Sequence, residues 1–201
     1  MVKLSIKEKV IKMKKRLIFT TEEMKELNIK TLKSRGVEVN DMAEIAYRQQ
    51  SKYSSNVTMD LCIRSVERVL SFRDVFHQVQ FAAEVDRLAE EKAFKFPMQD
   101  ILHDDLGLFG IDETLGLDLS GFYGVIGITN FGDIDVNKTG IIAKLNEEGK
   151  KEGVCHTFLD DIVGAIAAAA STRVAQVLNE ELALENPDYS KTDIYDFIEE
   201  K

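Results

Sequence analysis

Apolar positions recur along this chain every three or four residues far more often than every second one, so the predicted elements are helices. Val2, Ile6, Val10, Met13 and Leu17 fall on one stripe with lysines around much of the remaining circumference, which predicts a basic amphipathic helix over residues 1–19. Thr20 and Glu23 have capping-box spacing and open a second helix that ends at Gly36. Asn40 is expected to cap a third helix carrying Met42, Ile45 and Ala46, and Thr58 a fourth through Cys62, Val66 and Val69. A longer pattern with Phe76, Val79, Ala83 and Leu88 covers about residues 73–92, and Pro97 suits the first turn of a short helix ending near Gly107. Residues 139–147 predict another helix, followed by an exposed loop at 149–153.

The strongest pattern runs over residues 158–184, and its first half is almost wholly small or apolar, with Gly164, Ala165, Ala167, Ala168, Ala169, Ala170 and Ser171. Small side chains on every face let neighbouring helices pack tightly, so this helix belongs at the centre of a bundle. The expected architecture is all-α: a single-domain multi-helix bundle with a central small-residue-rich helix. It divides into the basic helix at 1–19, the helical domain at 20–184 and an acidic tail at 185–201, where Ser190 can cap one last short helix.

Composition narrows the class. A length of 201 residues can bury a core without a structural metal or disulfides, and the two cysteines, Cys62 and Cys155, form no CxxC pair. A reducing cytoplasm is the expected location. The continuous apolar stretch at 162–170 is short of the roughly 20 residues a spanning helix needs, so no transmembrane segment is expected. Net charge is −9, which argues against nucleic acid as a partner. Yet residues 1–16 hold seven Lys or Arg against Glu8, a local +6 that leaves −15 for the rest. A basic head on an acidic body suits either a docking helix with a solvated lysine face or contact with an anionic membrane surface.

Three acidic groups border apolar or glycine-rich sequence: Asp112-Glu113, Asp133 with Asp135, and Asp160-Asp161. Between 107 and 132 lie seven glycines, which predict close backbone approach. On the long helix, Asp160 shares a face with Gly164, Ala167 and Ser171, and Asp161 with Ala165, Ala168 and Thr172. Both carboxylates therefore project from a crowded surface. Two carboxylates about 4 Å apart at an effective dielectric near 20 repel by about 4 kcal/mol, so a converging set needs protons or a cation, and a hard divalent metal suits oxygen ligands. The competing account of Asp160 is capping: Thr157 as N-cap would put Asp160 at the third helical position, where negative charge suits the dipole. Residues 133–140 open like an EF-hand but carry Lys138 and Lys144 where the loop needs Gly and an acid.

Asp112-Glu113-Thr114-Leu115-Gly116, then Phe131 with Asp135 and Lys138, then Leu159-Asp160-Asp161-Ile162-Val163-Gly164, resemble in order and spacing the phosphatidylglycerophosphatase A family, in particular its soluble, all-helical Gram-positive branch. The resemblance implies Mg²⁺-dependent hydrolysis of phosphatidylglycerophosphate to phosphatidylglycerol and phosphate. Carried over by position, Asp112, Glu113, Asp160 and Asp161 would hold one or two Mg²⁺ ions. Glu113, Asp135 and Lys138 would serve catalysis, Glu113 as ligand or general base and Lys138 facing the phosphate. Thr139 stands where the family has proline, Gly132 where it has a basic residue, and the spanning segments of the better-known branch are missing. A peripheral position at the inner face of the membrane is therefore expected, with an anionic phospholipid or another phosphomonoester as substrate. The alternatives are a phosphatase of soluble phosphomonoesters or nucleotides and a non-catalytic helical interaction or regulatory protein. A homo-oligomer is expected, since apolar helices often complete their burial against a second copy.

Overall fold

A computed structural model describes residues 19–185; the expected basic helix and the tail with its Ser190 cap lie outside the described residues. The architecture is all-α, with nine α-helices and one short 3₁₀ turn among the described residues. In chain order the helices are α1 (Thr21–Ser34), α2 (Val39–Gln50), α3 (Met59–Leu70), α4 (Arg73–Glu90), α5 (Met98–His103), α6 (Ile111–Ser120), α7 (Gly124–Asn137), α8 (Ile141–Glu148) and α9 (Leu159–Glu185). The 3₁₀ turn Gly121–Tyr123 joins α6 to α7.

Local chemistry sets most of these boundaries. The Thr20 hydroxyl accepts from Glu23 N at 3.2 Å while Glu23 accepts from Thr20 N at 2.7 Å, so the expected capping box is formed. Gly36 then leaves the helix at a φ of +80°, a conformation that favours glycine. Thr58 caps α3 as its spacing predicted. Asn40 does not cap α2. That helix starts two residues earlier, at Val39, and Glu38 and Asp41 exchange the backbone bonds at its start.

The 27-residue α9 is the axis of the fold, with α2, α3, α4, α6, α7 and α8 all packed on it. Every residue from Leu159 to Thr172 is buried, which only side chains as small as its alanines permit when neighbours close on all sides. By length and composition alone α9 is apolar enough to cross a membrane, a longer apolar run than residues 162–170 suggested. The chain itself covers 72% of that apolar window. Polar side chains on α9 are matched from outside: Ser171 with Gln50 at 2.9 Å, Thr172 with Asn130 at 3.0 Å and Arg173 with Ser65 at 2.9 Å. Both cysteines are buried and free.

Close backbone approach in the glycine-rich stretch is confined to a few positions. A Cβ on Gly116 would lie 2.4 Å from the Phe131 ring, and one on Gly127 would lie 2.1 Å from the Ser120 carbonyl, so α6 and α7 meet across both. At Gly107, Gly124 and Gly132 a Cβ would meet nothing within 4 Å.

The start of α9 departs from expectation. Thr157 is not its cap; its hydroxyl donates to Leu102 O at 2.5 Å. The amides of Phe158 and Leu159 instead donate to the two carboxylate oxygens of Asp86, at 3.1 and 2.9 Å, in the C-terminal part of α4. Asp86 is fully buried, and burial pushes its pKa up to about 7 despite these bonds. It ties the first turn of the central helix to α4. Replacing Asp86 with Ala strands two buried amides, and denaturant unfolding should show a loss of about 2–3 kcal/mol, with Asp86→Asn losing less. Gly116→Ala should cost about 1–3 kcal/mol in the same measurement, because the buried Phe131 ring has little room to move.

Candidate metal centre

Two helix N-termini point at one place. The first turn of α6 carries Asp112 and Glu113, and the first turn of α9 carries Asp160 and Asp161. The positive end of each helix dipole favours negative charge there, and the Glu113 and Asp161 amides donate to the Asp112 and Asp160 carboxylates. The C-terminal end of α7 adds Asp135 and Lys138, and Lys138 ends that helix in the left-handed region at a φ of +37°. The Gly116–Phe131 contact sets α6 and α7 at the distance that brings these ends together.

Asp112, Glu113 and Asp161 form the tightest group, with one ligand oxygen from each within 4.8 Å of the others. Asp112 and Asp161 are buried and Glu113 is exposed. An all-carboxylate set suits a hard cation, and opposite ligand oxygens of an octahedral Mg²⁺ lie about 4.2 Å apart, so oxygens no more than 4.8 Å from one another can share one ion after small side-chain movements. The residues therefore fit one divalent ion. Asp160 stands beside the group. Its Oδ2 accepts from Lys138 Nζ at 3.1 Å and its Oδ1 accepts from the Asp161 amide at 3.0 Å. Asp135 accepts from the same Nζ at 3.2 Å, so Lys138 bridges α7 and α9. Asp133 points elsewhere, to Gln49 and Asn137.

Burial followed by the charges of Asp160, Asp112 and Asp135 pushes Asp161 up to about 9. Burial also raises Asp112, and the adjacent Glu113 adds to it; Glu113 is held low, chiefly by its hydrogen bond with the Asp112 carboxyl. Asp160 rises less, to about 6, because Lys138 offsets part of its burial. Lys138 is itself raised: its carboxylate neighbours outweigh the desolvation that opposes them.

The sequence reading missed Asp105. This residue has a left-handed φ of +46° in the loop after α5, and its pKa is raised by partial desolvation and then by Glu113 and Asp135, with Lys138 opposing. It joins the same electrostatic cluster. The adjacent Asp104-Asp105 pair was the available signal. Beside the centre is a cleft of about 370 Å³ whose lining includes Asp160, His103, His156, Asn146, Lys150 and Lys151. His156 is kept neutral by burial and by Arg35, whose Nη2 lies 3.4 Å from its Nδ1.

An all-α bundle with a carboxylate centre built from two helix N-termini is the class that fold and site define. The chain belongs to the PgpA family, phosphatidylglycerophosphatase A, whose family model matches residues 52–176. It is 49% identical to "Uncharacterized protein YutG" of Bacillus subtilis (strain 168) over 144 residues, covering 72% of this chain and 86% of that protein. The crystal structure of low temperature requirement C protein from Listeria monocytogenes is similar at a TM-score of 0.74 and 44% identity, covering 78% of this chain and 97% of that one. That of protein YpjQ from Bacillus subtilis gives 0.75 and 41%, over 81% and 99%.

Raised carboxyl pKa values fix the sign of a pH effect. Without a divalent ion, folded Asp161 still holds a proton that the unfolded chain releases near pH 4. Its contribution is therefore fully present below about pH 4 and is lost as pH rises towards about 9. Thermal unfolding should show stability falling more steeply across this window in the native chain than in Asp161→Asn. Added Mg²⁺ should raise the midpoint more at pH 8.5 than at pH 5, since protons no longer compete for the ligands.

Proposed function

We propose that this protein is a divalent-metal-dependent phosphomonoesterase whose substrate is phosphatidylglycerophosphate. The observation that carries the reading is the meeting of the α6 and α9 first turns, which puts ligand oxygens of Asp112, Glu113 and Asp161 within 4.8 Å of one another beside Lys138. In this reading Asp112 and Asp161 hold Mg²⁺, and Glu113 shares in ligation. When bound, the ion supplies charge neutralisation at the phosphate oxygens and an acidified water. Glu113 is exposed and held ionised, so it is placed to take the proton of the attacking water. Lys138 presents a fixed positive charge to the phosphate, with Asp135 and Asp160 orienting its ammonium group. Asp160 joins the ligand set if a second ion enters.

The substrate is a lipid, and the local +6 of residues 1–16 supports work at an anionic membrane surface, at its cytoplasmic face. The polar cleft beside Asp160 favours a second reading, in which the same centre acts on a soluble phosphomonoester whose polar part lies against Lys150 and Lys151.

Phosphate release from phosphatidylglycerophosphate in mixed micelles is the direct test. Release should require Mg²⁺ and fall by at least about 10²-fold in Asp161→Asn and in Lys138→Met, each checked for folding by circular dichroism. Absence of release by the native chain with Mg²⁺, or full activity in Asp161→Asn, would overturn the reading. Preference for soluble esters over the lipid would transfer the mechanism to the second reading.

A further inference from the structure

His156 is only 8% exposed, yet one of its ring nitrogens is without a partner. Its Nδ1 lies 3.4 Å from Arg35 Nη2, and a guanidinium can only donate. Arg35 is itself fixed, by two bonds to Glu90 at 2.9 and 2.7 Å and one to the Cys155 carbonyl at 2.7 Å. Nδ1 must therefore accept, and in the neutral ring the proton sits on Nε2. That N–H makes no hydrogen bond within the described chain and is not sealed in as a buried orphan, so it opens onto the cleft of about 370 Å³ that His156 lines.

This cleft adjoins the carboxylate centre. Asp105 and Asp160 belong to both, and the His156 carbonyl accepts from the Asp160 amide at 3.2 Å, so the imidazole is joined to the turn that carries the acids. A Cβ on Gly149 would lie 3.4 Å from the His156 Cβ, so the 149–153 loop rests against His156 and brings its charges to the cleft. Two charged groups on the wall are held by neighbours, Lys150 by Glu147 at 2.7 Å and His103 by Asp104 at 2.9 Å. Three donor groups have no partner within the described chain: His156 Nε2–H, the Asn146 amide and the Lys151 ammonium. The carboxylates of Asp105 and Glu152 lie along the same wall. A ligand that satisfies both sets offers acceptor oxygens and hydroxyl donors together. The volume is near the lower end for small-molecule sites, which suits a polar headgroup and leaves no room for acyl chains.

We propose that the cleft is the subsite for the alcohol part of the substrate, a glycerol unit joined to a second phosphate, and that His156 Nε2–H donates to an oxygen of that unit. The inference rests on the phosphomonoesterase reading and says where the rest of the ester lies when its phosphate is at the carboxylate centre. Hydroxyls of the glycerol find carboxylates to donate to, and the second phosphate finds Lys151 and Asn146. Such a unit occurs in a phospholipid headgroup and in a free glycerol phosphate ester, and the chemistry of recognition is the same for both. Arg35 and Glu90 act through His156 as positioning residues, because they set which ring nitrogen carries the proton. A site built around a fixed donor discriminates strongly against an analogue that lacks the matching acceptor.

The probe is glycerophosphoglycerol, which has the glycerol units and the phosphodiester but no phosphomonoester, so its binding to the full chain is read independently of phosphate release. The chain has three histidines, and ¹⁵N spectra of the rings separate His156 from His103 in the cleft and from the exposed His77 on α4. His156 should appear as the neutral Nε2–H form, and the probe at up to about 20 mM should shift its signal and leave that of His77 in place. His156→Phe, checked for folding by circular dichroism, should raise the probe Kd at least about tenfold, and His156→Gln, which keeps a donor, should recover part of the loss. In phosphate release, His156→Phe should lower kcat/KM for phosphatidylglycerophosphate or for glycerol bisphosphate at least about tenfold more than for glycerol 1-phosphate, which lacks the second phosphate. A larger effect on the micellar lipid assigns the unit to a headgroup, and a larger effect on the bisphosphate assigns it to a free ester. An Nδ1–H form of His156, or a His156 signal that the probe does not move, overturns the proposal. No phosphate release from any ester while the probe still shifts His156 sinks the phosphomonoesterase reading and upholds the ligand class of the cleft.

Discussion

Like charges held close together away from bulk water are the constraint around which this molecule is arranged. Asp112 and Asp161 are buried, and Glu113, Asp135 and Asp160 are gathered at the same corner. In the unfolded chain these groups are separate and hydrated, so folding must compensate their desolvation and mutual repulsion. The dipoles of two helix N-termini and one lysine between Asp135 and Asp160 supply part of that compensation. A proton on Asp161 or a cation among the carboxylates supplies more. Fold stability and metal affinity are therefore linked through the same side chains.

The rest of the fold keeps those helix ends in place. The alanine-rich half of α9 lets α2, α3, α6 and α7 close in on it, and two of those, α6 and α7, carry the other half of the acidic centre. Gly116 against Phe131 fixes their separation. Asp86 holds the first turn of α9 through two of its amides, so Asp160 and Asp161 project from a turn anchored by a buried hydrogen-bonded carboxylate. The stretch matched by the phosphatidylglycerophosphatase A family model, residues 52–176, contains the Asp-Glu, Asp-x-x-Lys and Asp-Asp segments of these three helices.

Legibility in the sequence followed the range of the interactions. The Thr20–Glu23 box, the Thr58 cap and the Gly36 stop involve residues a few positions apart, and all three were predicted. The Asp86 cap was not, because its partners are 72 and 73 positions away and nothing near Asp86 distinguishes it from a surface acid. Thr157 had the right type and spacing for the same task and was diverted to the Leu102 carbonyl. Asp105 stayed hidden for a similar reason, since its neighbours Glu113, Asp135 and Lys138 come from α6 and the end of α7.

The sequence by itself determined that the chain is all-helical, that a small-residue helix forms its axis, and that Asp112, Glu113, Asp135, Lys138, Asp160 and Asp161 are the residues to watch. Periodicity, capping and side-chain size act locally, so they can be read from order alone. Only the tertiary structure decided how those residues divide. Asp160 and Asp161 are adjacent in sequence but about 100° apart around α9, so one meets Lys138 and the other meets Asp112 and Glu113. Which neighbour lies on which side depends on how α6 and α7 pack against the axis, and that is set by long-range contacts at Gly116, Gly127 and Phe131.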